Sequence, residues 1–309
     1  LLHKLRKTLS ERPALFTVLL VFCMAIWGGS WTSGKLVANA VHPFVLAFLR
    51  FFVTFLCFIP AVAVFRQRLR IGLKSLLFSA AAGALMNLYS YLFFWGLEPG
   101  QPGLGGVLVT SCNPVFTFLL SLAFFRKRIG AREIVGLALG VAGGLVILEI
   151  WSVSLARLLA SGNLIFIIGS VVWSLLTIVS GEAQRRTTIF AFGFYMYGFS
   201  SLLGLPFALP FGLAGALRQD LGFWLNIVYL GAASTFFATS VYFYAAKKIS
   251  AGRASSFSLF TPLFAVVSSY VVLGEIPTIF TILGGLIAMI GIYLINRKGK
   301  PELAPRGVA

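Results

Sequence analysis

Residues 255–297 read SSFSLFTPLFAVVSSYVVLGEIPTIFTILGGLIAMIGIYLINR, and this stretch decides the fold. Ser255, Ser258, Thr261 and Pro262 open an apolar run that Leu273-Gly274-Glu275-Ile276-Pro277 interrupts. A second apolar run carries Gly284, Gly285 and Gly291 and ends at Arg297-Lys298. A helix needs roughly 20 apolar residues to cross a bilayer, so the spacing predicts two membrane helices joined by a tight turn. The same layout occurs earlier: Thr110, Asn113 and Pro114 in one apolar run, then Arg126-Lys127-Arg128, then Gly136, Gly140 and Gly143. Pro114 and Pro262 are 148 residues apart, as are Gly136 and Gly284, and Gly143 and Gly291. Trp27 and Trp173 are 146 apart. One unit used twice is expected.

The whole chain shares this character. Of its 309 residues 59% are hydrophobic and only 11% charged, with a mean hydropathy of +0.96. A soluble domain has no interior large enough for that much apolar surface. Apolar runs of spanning length start near Ala14, Pro43, Leu73, Gly103, Arg132, Gly162, Ile189, Leu221, Gly252 and Pro277. The expected fold is an all-α integral membrane protein of ten transmembrane helices. Its parts are a cytoplasmic N-terminal segment (1–13), a first five-helix repeat (14–150), a second (162–297) and a cytoplasmic tail (298–309).

The net charge of +17 suggests nucleic acid until its distribution is read. With the N-terminus in the cytoplasm, 21 of the 25 Lys and Arg fall in cytoplasmic segments, including Arg66–Lys74, Arg126–Arg132 and Lys247–Arg253. The other side keeps Lys35, Arg157 and Arg218, and Arg50 lies inside a helix. This positive-inside bias puts both termini in the cytoplasm, makes the lipid bilayer the partner and argues against nucleic acid. The first apolar run, behind Lys4, Arg6 and Lys7, has Trp27 and Trp31 where a signal peptide would need small residues, so it reads as helix 1. Cys23, Cys57 and Cys112 lie in apolar runs without metal-ligand spacing; neither a metal nor a cofactor is expected. Gly29 to Lys35 imitates a phosphate-binding loop, but Leu36 occupies the metal-binding Ser/Thr position and no strand precedes it. Small residues in a membrane helix more commonly allow close packing.

Polar and aromatic residues recur at helical spacing. Helix 1 carries Trp27 and Trp31, helix 3 Asn87, Ser90, Tyr91 and Phe94, and helix 4 Thr110, Asn113 and Thr117. Helix 6 carries Ser170, Trp173 and Thr177, and helix 8 carries Thr235, Thr239 and Tyr242. Asn in hydrocarbon needs a partner, either another helix or a wet cavity, and both readings stay open for each residue. Gly136, Gly140 and Gly144 form a ladder of small residues, used either inside the bundle or as a homodimer face. Arg50, seven residues in from Pro43, is either snorkelling to outer headgroups or a fixed charge near the outer mouth.

Five helices per unit is odd, so the second unit enters the membrane inverted, an arrangement suited to alternating access around a midplane site. At this point the chain resembles the drug/metabolite transporter superfamily, and within it the EamA-type ten-helix carriers. The resemblance rests on Trp27-Gly28 with Lys35 and on Arg50-Phe51. It rests also on Ala251-Gly252-Arg253-Ala254 leading to Thr261-Pro262-Leu263-Phe264, then Leu273-Gly274-Glu275 and Gly284 to Gly291. The family's acidic residue is replaced by Lys127, and Pro99-Gly100-Gln101-Pro102-Gly103 is an unusual outer loop. The resemblance implies an inner-membrane solute carrier, commonly an exporter of amino acids or other small metabolites, with a cavity lined by helices 1, 3, 4, 6, 8 and 9.

The substrate-binding set expected on this basis is Trp27, Trp31, Asn87, Tyr91, Thr110, Asn113, Trp173, Thr177, Tyr242, Ser258 and Thr261. Lys35, Arg50 and Glu182 are the expected gating charges. Aromatic rings beside Asn and Thr suit an amphipathic solute; amines, quaternary ammonium compounds and drugs are the alternative. An intramembrane enzyme needs acid–base groups at depth, whereas His3 and His42 lie outside the spans and Glu98, Glu149, Glu182, Asp220 and Glu275 at helix ends. A channel needs rings of like groups, which two halves do not supply. With no titratable acid or histidine at midplane, a facilitator or exchanger running on the solute's own gradient is expected, with Glu182 as the fallback proton carrier.

Overall fold

The computed structural model describes residues 13–125, 130–152, 154, 161–184, 187–242, 257 and 260–296. Ser255, Ser258, Arg126-Lys127-Arg128, Arg157, Arg185-Arg186, Lys247, Lys248 and Arg253 lie outside these residues, as do most of the N-terminal segment and the tail.

Every regular element among the described residues is helical. The main ones are α1 (Pro13–Ala38), α2 (Pro43–Val64), α3 (Leu73–Leu97), α4 (Pro102–Phe125) and α5 (Ala131–Ile147). They continue with α6 (Asn163–Gln184), α7 (Ile189–Ala208), α8 (Leu221–Val228), α9 (Phe260–Leu273) and α10 (Ile279–Asn296). Six spans among the described residues are long and apolar enough to cross a membrane: Ala14–Ala38, Pro43–Val64, Leu73–Leu97, Asn163–Gln184, Ile189–Phe211 and Leu221–Tyr242. Apolar helices of 10–17 residues cover Ile134–Ile147, Phe260–Leu273 and Ile279–Leu294. The expected starts agree within two residues, except near Gly252, outside the described residues.

Local chemistry sets the boundaries. Pro43 opens α2, and the His42 ring accepts from the Phe44 amide. Thr188 caps α7 and Asp220 caps α8 through their side-chain oxygens, satisfying amides that a helix start leaves free. Gly274, at φ +70°, ends α9. Its amide donates to Tyr270 O at 3.0 Å, the left-handed cap that glycine adopts without steric cost. Beyond the cap, the Glu275 carboxylate turns back and accepts from the Ser269 hydroxyl. The Leu-Gly-Glu signature is thus a helix stop and its side-chain tie.

α8 changes pitch. Tyr229–Ala238 is π-helical before the chain returns to α geometry. Thr235 Oγ1 donates to Leu230 O five residues back at 2.7 Å. Two carbonyls of this wide segment accept from other helices: Gly231 O from Thr54 at 3.0 Å and Ser234 O from Trp27 Nε1 at 3.1 Å.

α5 packs on α10, α2 on α7, and α9 on both α1 and α4. α6 packs on α3 and α4, α3 also on α7, and the π segment on α1 and α2. Glycines let backbones touch. A Cβ on Gly143 would meet Gly284 O at 2.6 Å, one on Gly284 would meet Gly143 O at 2.6 Å, and one on Gly291 would meet Gly136 O at 2.6 Å. A Cβ on Gly140 would meet Val115 on α4 at 2.6 Å, so the ladder is used inside the chain. Gly28, together with Gly29 and Gly34 of the false phosphate loop, likewise faces another helix, the three meeting Phe264, Tyr229 and Phe93 in turn.

Gly143→Ala should therefore push α5 off α10 and cost about 1–3 kcal/mol. Gly144→Ala, whose Cβ would find only Cys112 Sγ at 3.8 Å, should leave the melting temperature near wild type. Thermal unfolding of both variants in detergent checks the difference.

Candidate functional site

The Lys35 end of α1 is tied on three sides. Lys35 Nζ donates to Leu97 O at 2.7 Å and Glu98 O at 2.9 Å, placing a cation on the carbonyl end of α3 where the helix dipole favours it. Ser33 Oγ donates to Asn226 Oδ1 of α8 at 2.7 Å, and the Thr32 and Ser268 hydroxyls share a bond of 2.8 Å to α9. One turn deeper, buried Trp31 meets Phe93 and Phe166 edge-on at centroid distances of 4.9 and 5.5 Å. Gly96, Gly100 and Gly105 press against Phe166 with no room for a side chain. Of the unusual Pro99–Gly103 stretch, Gly100 lets the α3–α4 connection close over that ring, while Pro102 and Gly103 already belong to α4.

A narrow crevice, too tight here to admit a water molecule, lies beneath, lined by Trp31, Tyr89, Phe93, Val109, Phe166 and Gly169 among others. Tyr89 meets Trp173 at 4.7 Å. Ser174, next to Trp173, donates to Asn113 O at 3.1 Å. Asn113 Oδ1 and Ser90 Oγ are buried with no hydrogen-bond partner among the described residues. Such orphans are uncommon in membrane interiors. A second aromatic group surrounds α1: Trp27 meets Tyr242 at 5.1 Å and bonds to the π segment. The Trp27 ring packs beside Cys23, Met24 and Phe264. Thr261 is buried there, its hydroxyl 3.5 Å from Met24 Sδ.

Arg50 is buried, with 7% of its surface exposed. Its Nε donates to Thr235 Oγ1 at 3.0 Å. The guanidinium carbon lies 5.5 Å from the centre of the Phe93 ring and 5.9 Å from that of Phe51. The side chain points into the bundle, toward α3 and the π segment, so the structure shows no snorkelling to the headgroups.

The predicted residues thus divide. Trp31 and Trp173 border the crevice region, Asn113 is tied to the Trp173 helix, and Trp27, Tyr242 and Thr261 form the second group. Tyr91 stacks instead on Phe44 at 4.2 Å and lies 5.7 Å from Trp95. Asn87 donates to Ser200 O of α7 at 2.7 Å, an interhelical tie. Thr110 bonds back to Gly106 O within its own helix, and exposed Thr177 to Trp173 O. Glu182 is half-buried near the end of α6. Ser258 lies outside the described residues. Sequence reading missed Tyr89, Phe93 and Phe166. Their signal was the same as that of any apolar position, save for the cluster of glycines facing Phe166. Among the described residues no three His, Cys, Asp or Glu side chains gather as a metal site.

Lys35→Met should lower stability by about 1.5–3 kcal/mol, the range for hydrogen bonds to a charged group. Lys35→Arg should recover most of it, as read by thermal unfolding in detergent.

The model of the EamA-like transporter family matches residues 15–149 and again 160–297. An uncharacterized transporter of Archaeoglobus fulgidus is 28% identical over 91% of this chain and 98% of its own length. A Salmonella typhimurium protein named "Probable amino-acid metabolite efflux pump" is 25% identical over 90% of this chain and 93% of its own. A Streptantibioticus cattleyicolor protein named "Probable terminal-alkyne amino-acid exporter" is 26% identical over 69% and 70%. A crystal structure at 20% identity superposes with a TM-score of 0.61 over 89% of this chain and 94% of that one, a likeness of fold alone. With apolar helices of spanning length and family matches in both halves, the chain belongs to the EamA-like transporter family and is a multi-pass membrane transporter of a small-molecule solute.

Proposed function

We propose that this transporter exports amino acids or related amphipathic metabolites across the cell's inner (plasma) membrane. It works by alternating access between two inverted five-helix repeats, residues 14–150 and 162–297, with both termini cytoplasmic. The observation that carries the solute class is the Salmonella relative's name, on a protein alignable over 90% of this chain. The Streptantibioticus relative is also named for an amino-acid exporter.

The helix contacts support the repeat. Exchanging each first-half helix with the one five places on leaves the main pairings unchanged: α1 on α9 becomes α6 on α4, α2 on the π segment becomes α7 on α3, and α5 on α10 maps to itself. The glycine contacts obey the same exchange. Gly143 against Gly284 becomes Gly291 against Gly136, the self-complementary contact of a twofold axis. The aromatic pairs swap as well, Trp27 of one half meeting Tyr242 of the other, and Trp173 meeting Tyr89.

In this reading the Lys35 end of α1 is outer, and the tie to α3 together with the Trp31–Phe93–Phe166 cluster seals it. Opening outward requires those contacts to break, and a solute that binds the open form better shifts the balance. The acids among the described residues sit at or near helix ends, so transport is expected to follow the solute's own gradient.

In reconstituted vesicles holding equal amino acid on both sides, an imposed pH gradient should drive no net accumulation. Accumulation that an uncoupler abolishes would replace the facilitator with a proton-coupled carrier. Counterflow of radiolabelled amino acids against an unlabelled load tests the solute class, and no exchange of any amino acid would remove it. Reporter fusions at Arg70 and Gly274 should report opposite sides of the membrane; the same side for both would overturn the topology.

A further inference from the structure

Arg50 is a buried cation inside a membrane-spanning helix. A guanidinium has five N–H donors and is permanently charged. Among the described residues one hydrogen bond is made by this one, from Nε to Thr235, and it pairs with no carboxylate. Aromatic faces of Phe51 and Phe93 offer partial compensation. An intramembrane cation in this situation is costly and is a functional site by default. A position needing only bulk and packing would carry Leu or Met without that cost.

The surroundings indicate what the charge is for. Thr235, fixed by its own bond to Leu230 O on the π segment, holds the Nε edge. The two Nη groups, with their four donors, are left for a partner. Phe93 lies against the Arg50 guanidinium, and the same ring lines the crevice between α1, α3, α4 and α6 together with Tyr89. The guanidinium is therefore one ring's thickness from the crevice. Rotation of Phe93 as the helices exchange positions would bring the Nη edge to its wall. A planar two-oxygen anion fits that edge with two parallel hydrogen bonds, the geometry in which arginine exceeds lysine.

We propose that Arg50 is the anchor for the solute's carboxylate, with Thr235 as its positioning residue and Phe93 as the ring that covers it when no solute is bound. This rests on the amino-acid reading and adds to it an anion selectivity: an α-carboxylate is required, and the corresponding carboxamide or free amine is rejected. Both the fixed charge and the desolvated donors oppose a cation lacking a carboxylate.

The test uses full-length protein in vesicles, loaded with the twenty proteinogenic amino acids or with their carboxamides, and follows efflux by mass spectrometry. Wild type should move at least one acid and discriminate against its amide by tenfold or more. Arg50→Gln should lose that acid tenfold or more while its amide is moved as well as or better than by wild type. Arg50→Lys should fall between. Thr235→Val should raise KM for the acid several-fold with little change in maximal rate, which also serves if Arg50→Gln fails to fold. If Arg50→Gln loses acid and amide equally, with Arg50→Lys restoring both, the residue is structural and the proposal is overturned. Undiminished acid transport by Arg50→Gln overturns it too, and leaves the amino-acid reading standing. Wild type moving neither acids nor amides removes the amino-acid reading and the carboxylate anchor with it.

Discussion

Hydrocarbon offers no hydrogen bonds, and the rest of this structure depends on that constraint. The commonest answer is that polar side chains turn to backbone carbonyls. Ser79, Ser170, Ser174, Ser200 and Ser201 each donate four residues back along their own helix. A smaller set reaches a carbonyl on another helix, including Lys35, Thr54, Asn87 and Trp27. Those bonds tie α1 to α3 and α8, α2 to α8 and α3 to α7. Because such ties cross between helices without burying a charge pair, they hold a bundle together while leaving each bond individually cheap to exchange.

The π segment of α8 belongs to the same logic. A π turn leaves its carbonyls less regularly occupied than an α turn does, and such segments recur at functional sites. Here Gly231 O and Ser234 O take bonds from α2 and α1, and Thr235 takes one from Arg50. The irregular stretch thereby connects the buried cation with the first helix. Gly231 packs directly on the Arg50 backbone, where a Cβ would meet Arg50 O at 2.8 Å. Any movement of α8 against α2 is thus felt at Arg50, and any change at Arg50 is felt along α8.

Glycine contacts and aromatic contacts divide the remaining work. Between α5 and α10 the backbones touch, which fits a rigid pairing. Around α1, α3 and α6 the contacts are rings meeting at centroid distances of 4.7 to 5.5 Å, and rings can turn about two side-chain bonds without moving a backbone. Backbones touch between α5 and α10, whereas beside the crevice glycines meet rings, with Gly96, Gly100 and Gly105 pressing on Phe166.

The sequence alone determined the class of protein and the places where helices begin. Hydropathy and capping are local properties, so Pro43, Asp220 and Gly274 declare their boundaries without reference to any neighbour. The glycine spacing also disclosed which positions admit close packing. What it did not carry is which way each helix faces. On α3 the stripe of Asn87 and Tyr91 looked like a cavity wall, yet these residues face α7 and α2, and Tyr89 meets Trp173 in place of Tyr91. Two residues along a helix are about 200° around it, so the choice between Tyr89 and Tyr91 is the choice between opposite faces. A polar stripe reads the same whether its partner is a solute or a carbonyl on the next helix, because in hydrocarbon both satisfy the same demand. The burial of Arg50 was undecidable for the same reason: seven residues into α2, an arginine can turn outward to headgroups or inward to the core. Only the packing of α2 against α3, α7 and the π segment, with Thr235 at 3.0 Å, decided it.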